Sequence, residues 1–187
     1  MQYISLLFFI LSISLIVLAF LIKKELTPVS NLVSEYVYNK FGWLTKLAFV
    51  CIGLGGISYL TSLSSLYLQS NIGKTLIILL NIWSVSAAFL AVFPIDLPNK
   101  KTLNGLIHKI LANIAIPTGL IIIIITTILN FNNLTVFQLF NTSILSLLII
   151  LGKIFYIRGN KNYKGIFQRI IIFSELIWFI LNILQLA

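Results

Sequence analysis

The chain has 187 residues, of which 59% are hydrophobic and 9% charged, with a mean hydropathy of +1.07. A soluble globular domain is about a quarter charged, so this composition excludes a water-exposed surface and makes the bilayer the solvent. The net charge of +9, in a chain this apolar, speaks for one face of a membrane and not for a nucleic-acid partner.

A spanning helix needs roughly 20 mostly apolar residues to cross about 30 Å of hydrocarbon. Six such runs use up residues 1–187 as a single transmembrane bundle, with no length left for a soluble domain. The first run covers about 2–22. No Lys or Arg precedes Lys23, and Lys23-Lys24 follow the run, the reverse of a secretory signal's basic n-region. A retained anchor with its N-terminus outside is expected.

Residues 26–43 are too polar to span. Pro28 can open a helix at its first position, and Leu32, Val33, Tyr36, Val37 and Phe41 then form an apolar stripe. This predicts an interfacial amphipathic helix over about 28–42, with Tyr36, Tyr38 and Trp43 as headgroup anchors. The further spans are expected near 44–68, 75–94, 105–129, 134–157 and 165–186. The connections are short, which makes sequential helices antiparallel neighbours.

Of the 13 Lys and Arg residues, 12 lie in or beside the first, third and fifth connections, and only Lys74 lies elsewhere. Positive residues near helix ends stay on the cytoplasmic side. These three connections are therefore expected inside, and both termini outside.

A polar side chain within the bilayer needs a reason. Glu175 lies ten residues into the sixth run, roughly 15 Å deep at 1.5 Å per residue. It should face the bundle interior, where desolvation favours the protonated carboxyl. Asn113 in the fourth run and Asn81 in the third fall within one or two turns of that level. Pro117 cannot donate to the carbonyl of Asn113, so a kink with a free backbone oxygen is expected there. Asn81, Asn113 and Glu175 read either as a polar pocket or as interhelical hydrogen bonds that hold the bundle together.

A second set gathers near the basic face: Asp96 in Phe93-Pro94-Ile95-Asp96, His108 in Gly105-Leu106-Ile107-His108, Gln168-Arg169 at the start of the sixth run, and Ser34-Glu35-Tyr36. Asp96 and His108 are the candidate catalytic pair, since imidazole titrates near neutrality. Arg169 can hold a phosphate or carboxylate. Singly, each has a plainer reading as turn, interfacial or headgroup residue. Gly53, Gly55 and Gly56 are read as sites of close helix packing. A lone cysteine, Cys51, excludes an internal disulfide, and with a single histidine it excludes a Cys/His zinc site within one chain. No cofactor or metal is expected.

Ser34-Glu35-Tyr36 with Gly42-Trp43-Leu44, Phe93-Pro94-Ile95-Asp96, Gly105-Leu106-Ile107-His108 and Gly165-Ile166-Phe167-Gln168-Arg169 ahead of Trp178 resembles the bacterial domain-of-unknown-function family 998, a family of small polytopic membrane proteins. The resemblance covers nearly the whole chain. It implies a six-helix fold without an assigned activity, and it implies that Asp96, His108 and Arg169 belong together. Where the pattern leads one to expect a Glu or similar residue before Arg169, this chain has Gln168.

The expected fold is thus all-α, with six transmembrane helices and one interfacial helix, in a bacterial inner membrane. Three functions fit. The first is a protein that binds or moves a lipid or amphipathic small molecule through a cytoplasm-facing cleft lined by Asp96, His108, Arg169, Glu175, Asn113 and Asn81. The second is a lipid-modifying enzyme using Asp96 and His108. The third is a non-catalytic scaffold or accessory subunit. Membrane lipids are the expected partners, with a homo-oligomer or membrane-protein partner left open.

Overall fold

The computed structural model describes residues 1–22, 26–38, 40–97 and 100–186. Six α-helices lie among the described residues: α1 (Gln2–Ile22), α2 (Gly42–Tyr67), α3 (Asn71–Phe89), α4 (Leu103–Asn130), α5 (Val136–Arg158) and α6 (Lys164–Leu186). Each is long and apolar enough to cross a membrane, so the protein has a polytopic membrane architecture. Intrahelical bonding is what satisfies a backbone that meets no water.

The helix starts are written locally. Ser70, Thr102 and Thr135 each sit just ahead of a helix and accept from the N–H three residues on, satisfying donors the helix leaves open. At the start of α5 the cap is reciprocal, because Gln138 Oε1 accepts from Thr135 N at 2.6 Å. The Ser70 cap starts α3 at Asn71, which brings Lys74 into its first turn. The same helix ends at Phe89, short of the expected 94. Pro94 disfavours helical backbone at the residue before it, and the chain there is a turn followed by a stretch without regular structure. α4 runs as one helix through Pro117.

The segment between α1 and α2 departs from expectation. The predicted interfacial helix over 28–42 is a 3-10 turn at Val33–Val37. Most of its apolar stripe points into the protein: Leu32, Val33, Tyr36 and Val37 are buried, as is Ser34 beside them, while Phe41 is exposed. Tyr36 is a core residue at 0% exposure, whereas Trp43 is 57% exposed. The physical reason is competition for the backbone. Val33 N donates to the Gln168 side chain at 2.7 Å, Leu32 N donates to Glu35 Oε2 at 3.2 Å, and Arg169 takes the carbonyls of Pro28 and Asn31. Backbone groups that a helix would pair internally are taken by the nearby Glu35 side chain and, across the fold, by Gln168 and Arg169.

Sequential helices α1 to α4 pack side by side, α5 packs on α6, and α6 returns to α1; α4 meets α5 and α6 only lightly. Gly53 lets α2 and α3 close up, since a Cβ there would lie 2.6 Å from that of Ala88. The centre is aromatic. Phe179 of α6 stacks on Phe9 of α1 at 5.3 Å and tilts against Trp83 of α3 at 4.6 Å, with Tyr59 of α2 edge-on at 5.6 Å. Such pairs add about 0.5–1.5 kcal/mol each beyond their buried area. This cluster joins four helices and leaves the α4 side open.

Candidate functional site

The open side carries three adjoining spaces. The largest is a cleft of about 260 Å³ at the end of the bundle where the α1–α2, α3–α4 and α5–α6 connections meet. Its polar wall comes from Ser34, Asp96, His108, Lys109, Asn113, Lys153 and Gln168. A smaller space of about 50 Å³ continues inward to Trp83 and Glu175, and it shares His108, Ala112, Ile116 and Gln168 with the cleft. That volume is enough for a few waters. The third space is a groove of about 230 Å³ between α4 and α5, lined by Ile116, Pro117, Leu120, Ile149, Ile150, Lys153, Ile154 and Ile157. Lys153 is its one polar lining residue, and Ile116 and Lys153 also belong to the cleft.

Local sequence explains the cleft's mouth. Asp96 follows Phe93-Pro94-Ile95 and folds back over the start of α4. Its carboxylate accepts from Thr102 N at 3.1 and 3.2 Å and from the Thr102 hydroxyl at 2.6 Å. A negative group at a helix N-terminus is favoured by the helix dipole. Gly105 makes room for it, because any Cβ there would overlap the Asp96 carboxyl. One turn further along, His108 is buried at 3% exposure, and its Nδ1 lies 2.7 Å from the Phe93 carbonyl. A carbonyl only accepts, so Nδ1 carries the proton. Nε2 is then the nitrogen with no protein partner among the described residues. Asp96 and His108 share the cleft without a direct hydrogen bond; their partners are Thr102 and Phe93.

Arg169 takes no part in lining any of the three spaces. It is buried and binds the Asn31 carbonyl at 2.8 Å as well as that of Pro28. Its guanidinium lies 4.2 Å from the Phe20 ring centre and 5.5 Å from that of Tyr36. It clamps the α1–α2 segment to α6. Gln168, its neighbour, does face the cleft while accepting from Val33 N. In the clamped segment, burial pushes the Tyr36 phenol up, with Arg169 pulling the other way. Burial and then the nearby Asp96 push Tyr38 up.

The deep set is partly different from the expected one. Glu175 is buried, borders Gly119 together with the Trp83 indole nitrogen, and leaves Oε1 without a partner. Asn113 is exposed on the cleft side, where Lys153 Nζ donates to its Oδ1 at 3.3 Å. Asn81 stands apart: it is exposed, and its Nδ2 donates to Ile77 O at 3.0 Å on its own helix. From α3 the residue that reaches Glu175 is Trp83, two positions on and on the buried face. Trp83, Gly119 and Lys153 were the residues that sequence reasoning did not single out. Signals existed for two of them. Trp83 is an aromatic donor at the depth of a buried acid, and Lys153 is a cation more than a turn inside the end of α5.

Among the described residues no group of three or more His, Cys, Asp or Glu comes together as a metal-binding set. A family model described as "Protein of unknown function (DUF998)" matches residues 6–184. No curated protein and no solved structure matches the chain.

Proposed function

The chain belongs to the DUF998 family of proteins of unknown function, and from that premise we propose that it binds or moves a lipid or other amphipathic molecule. The head of the molecule enters the polar cleft and its tail lies in the α4–α5 groove. One observation carries this reading. A polar space and an apolar groove share two walls, Ile116 and Lys153, so a molecule with a polar and an apolar end can occupy both. Small-molecule sites commonly run to about 300–1,000 Å³ with mostly apolar walls and a few placed polar groups. The loose seam between α4 and α5 gives such a molecule a way in from the side.

The cleft opens at the basic end of the bundle, which the positive-inside bias assigns to the cytoplasmic side of what we take to be a bacterial inner membrane. Binding is favoured over acid–base catalysis by the way the two candidate groups are held. The Asp96 oxygens are committed to the start of α4, and His108 Nδ1 is committed to Phe93.

Native mass spectrometry of the purified full chain tests the reading. A retained amphiphile, lost when Leu120→Trp fills the groove, is the expected result. A protein that binds none of a panel of added lipids, with Leu120→Trp indistinguishable from it, would sink the proposal.

A further inference from the structure

The charges around the cleft narrow the class of occupant, given the reading of the cleft above. We infer that the headgroup is anionic, a phosphate or a carboxylate, held at Lys153 and His108, with one hydrocarbon chain in the α4–α5 groove. Lys153 lies within the apolar span of α5. Its contacts are Asn113 Oδ1 at 3.3 Å and the ring of Tyr156 at 5.9 Å from its centre; no carboxylate pairs with it among the described residues. An ammonium inside a span is costly unless it is paired or hydrated.

None of the acids among the described residues forms an ion pair with it. Asp96 accepts from Thr102 and Glu35 accepts from Asn31 and Leu32; Glu175 lines the deep space and not the cleft, near enough to feel the charge of Lys153 but making no ion pair with it. Lys109 adds a second cation to the cleft wall.

A second, independent observation is Ser34. It is 1% exposed, forms part of the cleft wall, and its Oγ has no partner. A buried hydroxyl ordinarily has one, and an anionic oxygen in the cleft supplies an acceptor. His108 Nε2 completes the set. It donates when the ring is protonated and accepts from a P–OH or carboxylic O–H when the ring is neutral.

The test uses the full chain in phosphatidylcholine nanodiscs, with calorimetric titration of dodecyl phosphate, dodecyltrimethylammonium and inorganic phosphate. Dodecyl phosphate should bind about 10- to 100-fold more tightly than the cation of equal chain length, the ratio expected from one charge-assisted hydrogen bond. Lys153→Gln should remove that preference and Lys153→Arg should keep it. Inorganic phosphate should bind weakly, since it lacks the tail. Equal binding of the two dodecyl compounds, or a preference unchanged in Lys153→Gln, overturns the inference while leaving an amphiphile site standing. Inorganic phosphate as tight as dodecyl phosphate supports the anion and overturns the tail, making the source a free anion. If neither dodecyl compound binds, both the cleft reading and the inference fail. The wild-type ligand series decides the matter even where Lys153→Gln does not fold.

Discussion

Gly119 of α4 faces Glu175 of α6 so closely that a methyl on Gly119 would lie 2.7 Å from Glu175 Oε1 and 2.9 Å from Trp83 Nε1. The absent side chain is what allows the carboxyl and the indole to meet between α3, α4 and α6. Gly119→Ala should therefore destabilise the protein by about 1–3 kcal/mol, the usual range for overpacking. Glu175→Ala in the same chain should recover part of that loss, because the methyl then has space. A double-mutant cycle in detergent, read by thermal unfolding, measures the coupling. Additive losses would mean that the two residues do not meet.

Arg169 makes the opposite kind of contact, reaching out of α6 to hold a segment that has little regular structure of its own. Arg169→Ala removes two hydrogen bonds from a charged donor and two ring contacts. Charged hydrogen bonds are worth about 1.5–3 kcal/mol each, so a loss of roughly 3 kcal/mol or more is expected. Arg169→Lys should restore only part of it, since a lysine lacks the planar fork that binds two carbonyls and stacks on rings. Hydrogen exchange should rise first in residues 26–38. A uniform rise across all helices would contradict the clamp.

These two sites show what could be read from the chain and what could not. The six spans were legible because hydrocarbon thickness sets helix length, and apolar runs of that length are plain to see. Glu175 was legible as a buried group because its depth follows from counting residues along α6. Its partner was not, because depth fixes a level but not a face: Asn81 and Trp83 are two residues apart and point different ways. The segment at 26–43 misled for a related reason. Its apolar stripe was read as facing the headgroup region, because a stripe does not say whether lipid or the Arg169 clamp covers it. Lys153 was counted only as a topological charge, since nothing local reveals that α5 lies loosely against α4.

Asp96 offers a way to separate capping from chemistry. Three hydrogen bonds run to its carboxylate from Thr102. Asp96→Asn keeps one acceptor oxygen and loses the charge, so it should cost about 1 kcal/mol, and Asp96→Ala about 1–2 kcal/mol, in line with other N-terminal caps. Thr102→Ala should give a similar loss. Titration with dodecyl phosphate should show a smaller effect of Asp96→Asn than of Lys153→Gln. A binding defect in Asp96→Asn larger than that of Lys153→Gln, with stability intact, would assign Asp96 to the ligand instead.

The Tyr36 phenol gives a pH dependence whose sign follows from its burial. Its folded value is raised above the ordinary 10.0, so the folded state binds the phenolic proton more tightly than the unfolded state does. The stability this contributes is complete below about pH 10 and is lost as pH rises through the folded value. Thermal midpoints should hold steady from about pH 7 to 9 and decline above about pH 10. Tyr36→Phe should have a shallower alkaline decline than the wild type. An equally steep decline would mean that Tyr36 does not titrate with unfolding.

The orientation of the bundle is testable at the end opposite the cleft. Asn132 lies in the short 3-10 turn Phe131–Asn133 between α4 and α5 and is exposed. The native thiol, Cys51, is buried at 2% exposure, so a cysteine placed at 132 provides the accessible label site. The α4–α5 turn holds no Lys or Arg, whereas the connections on either side of it hold several. Retention of basic loops on the cytoplasmic side then puts position 132 outside. Asn132→Cys should react with a membrane-impermeant maleimide in intact cells, and a cysteine at Lys161, in the α5–α6 turn, should react only after the cells are opened. The reverse pattern would turn the bundle over and direct the cleft to the outer face. An occupant would then have to arrive from outside the cell, and the basic residues at the mouth would be facing the outer leaflet.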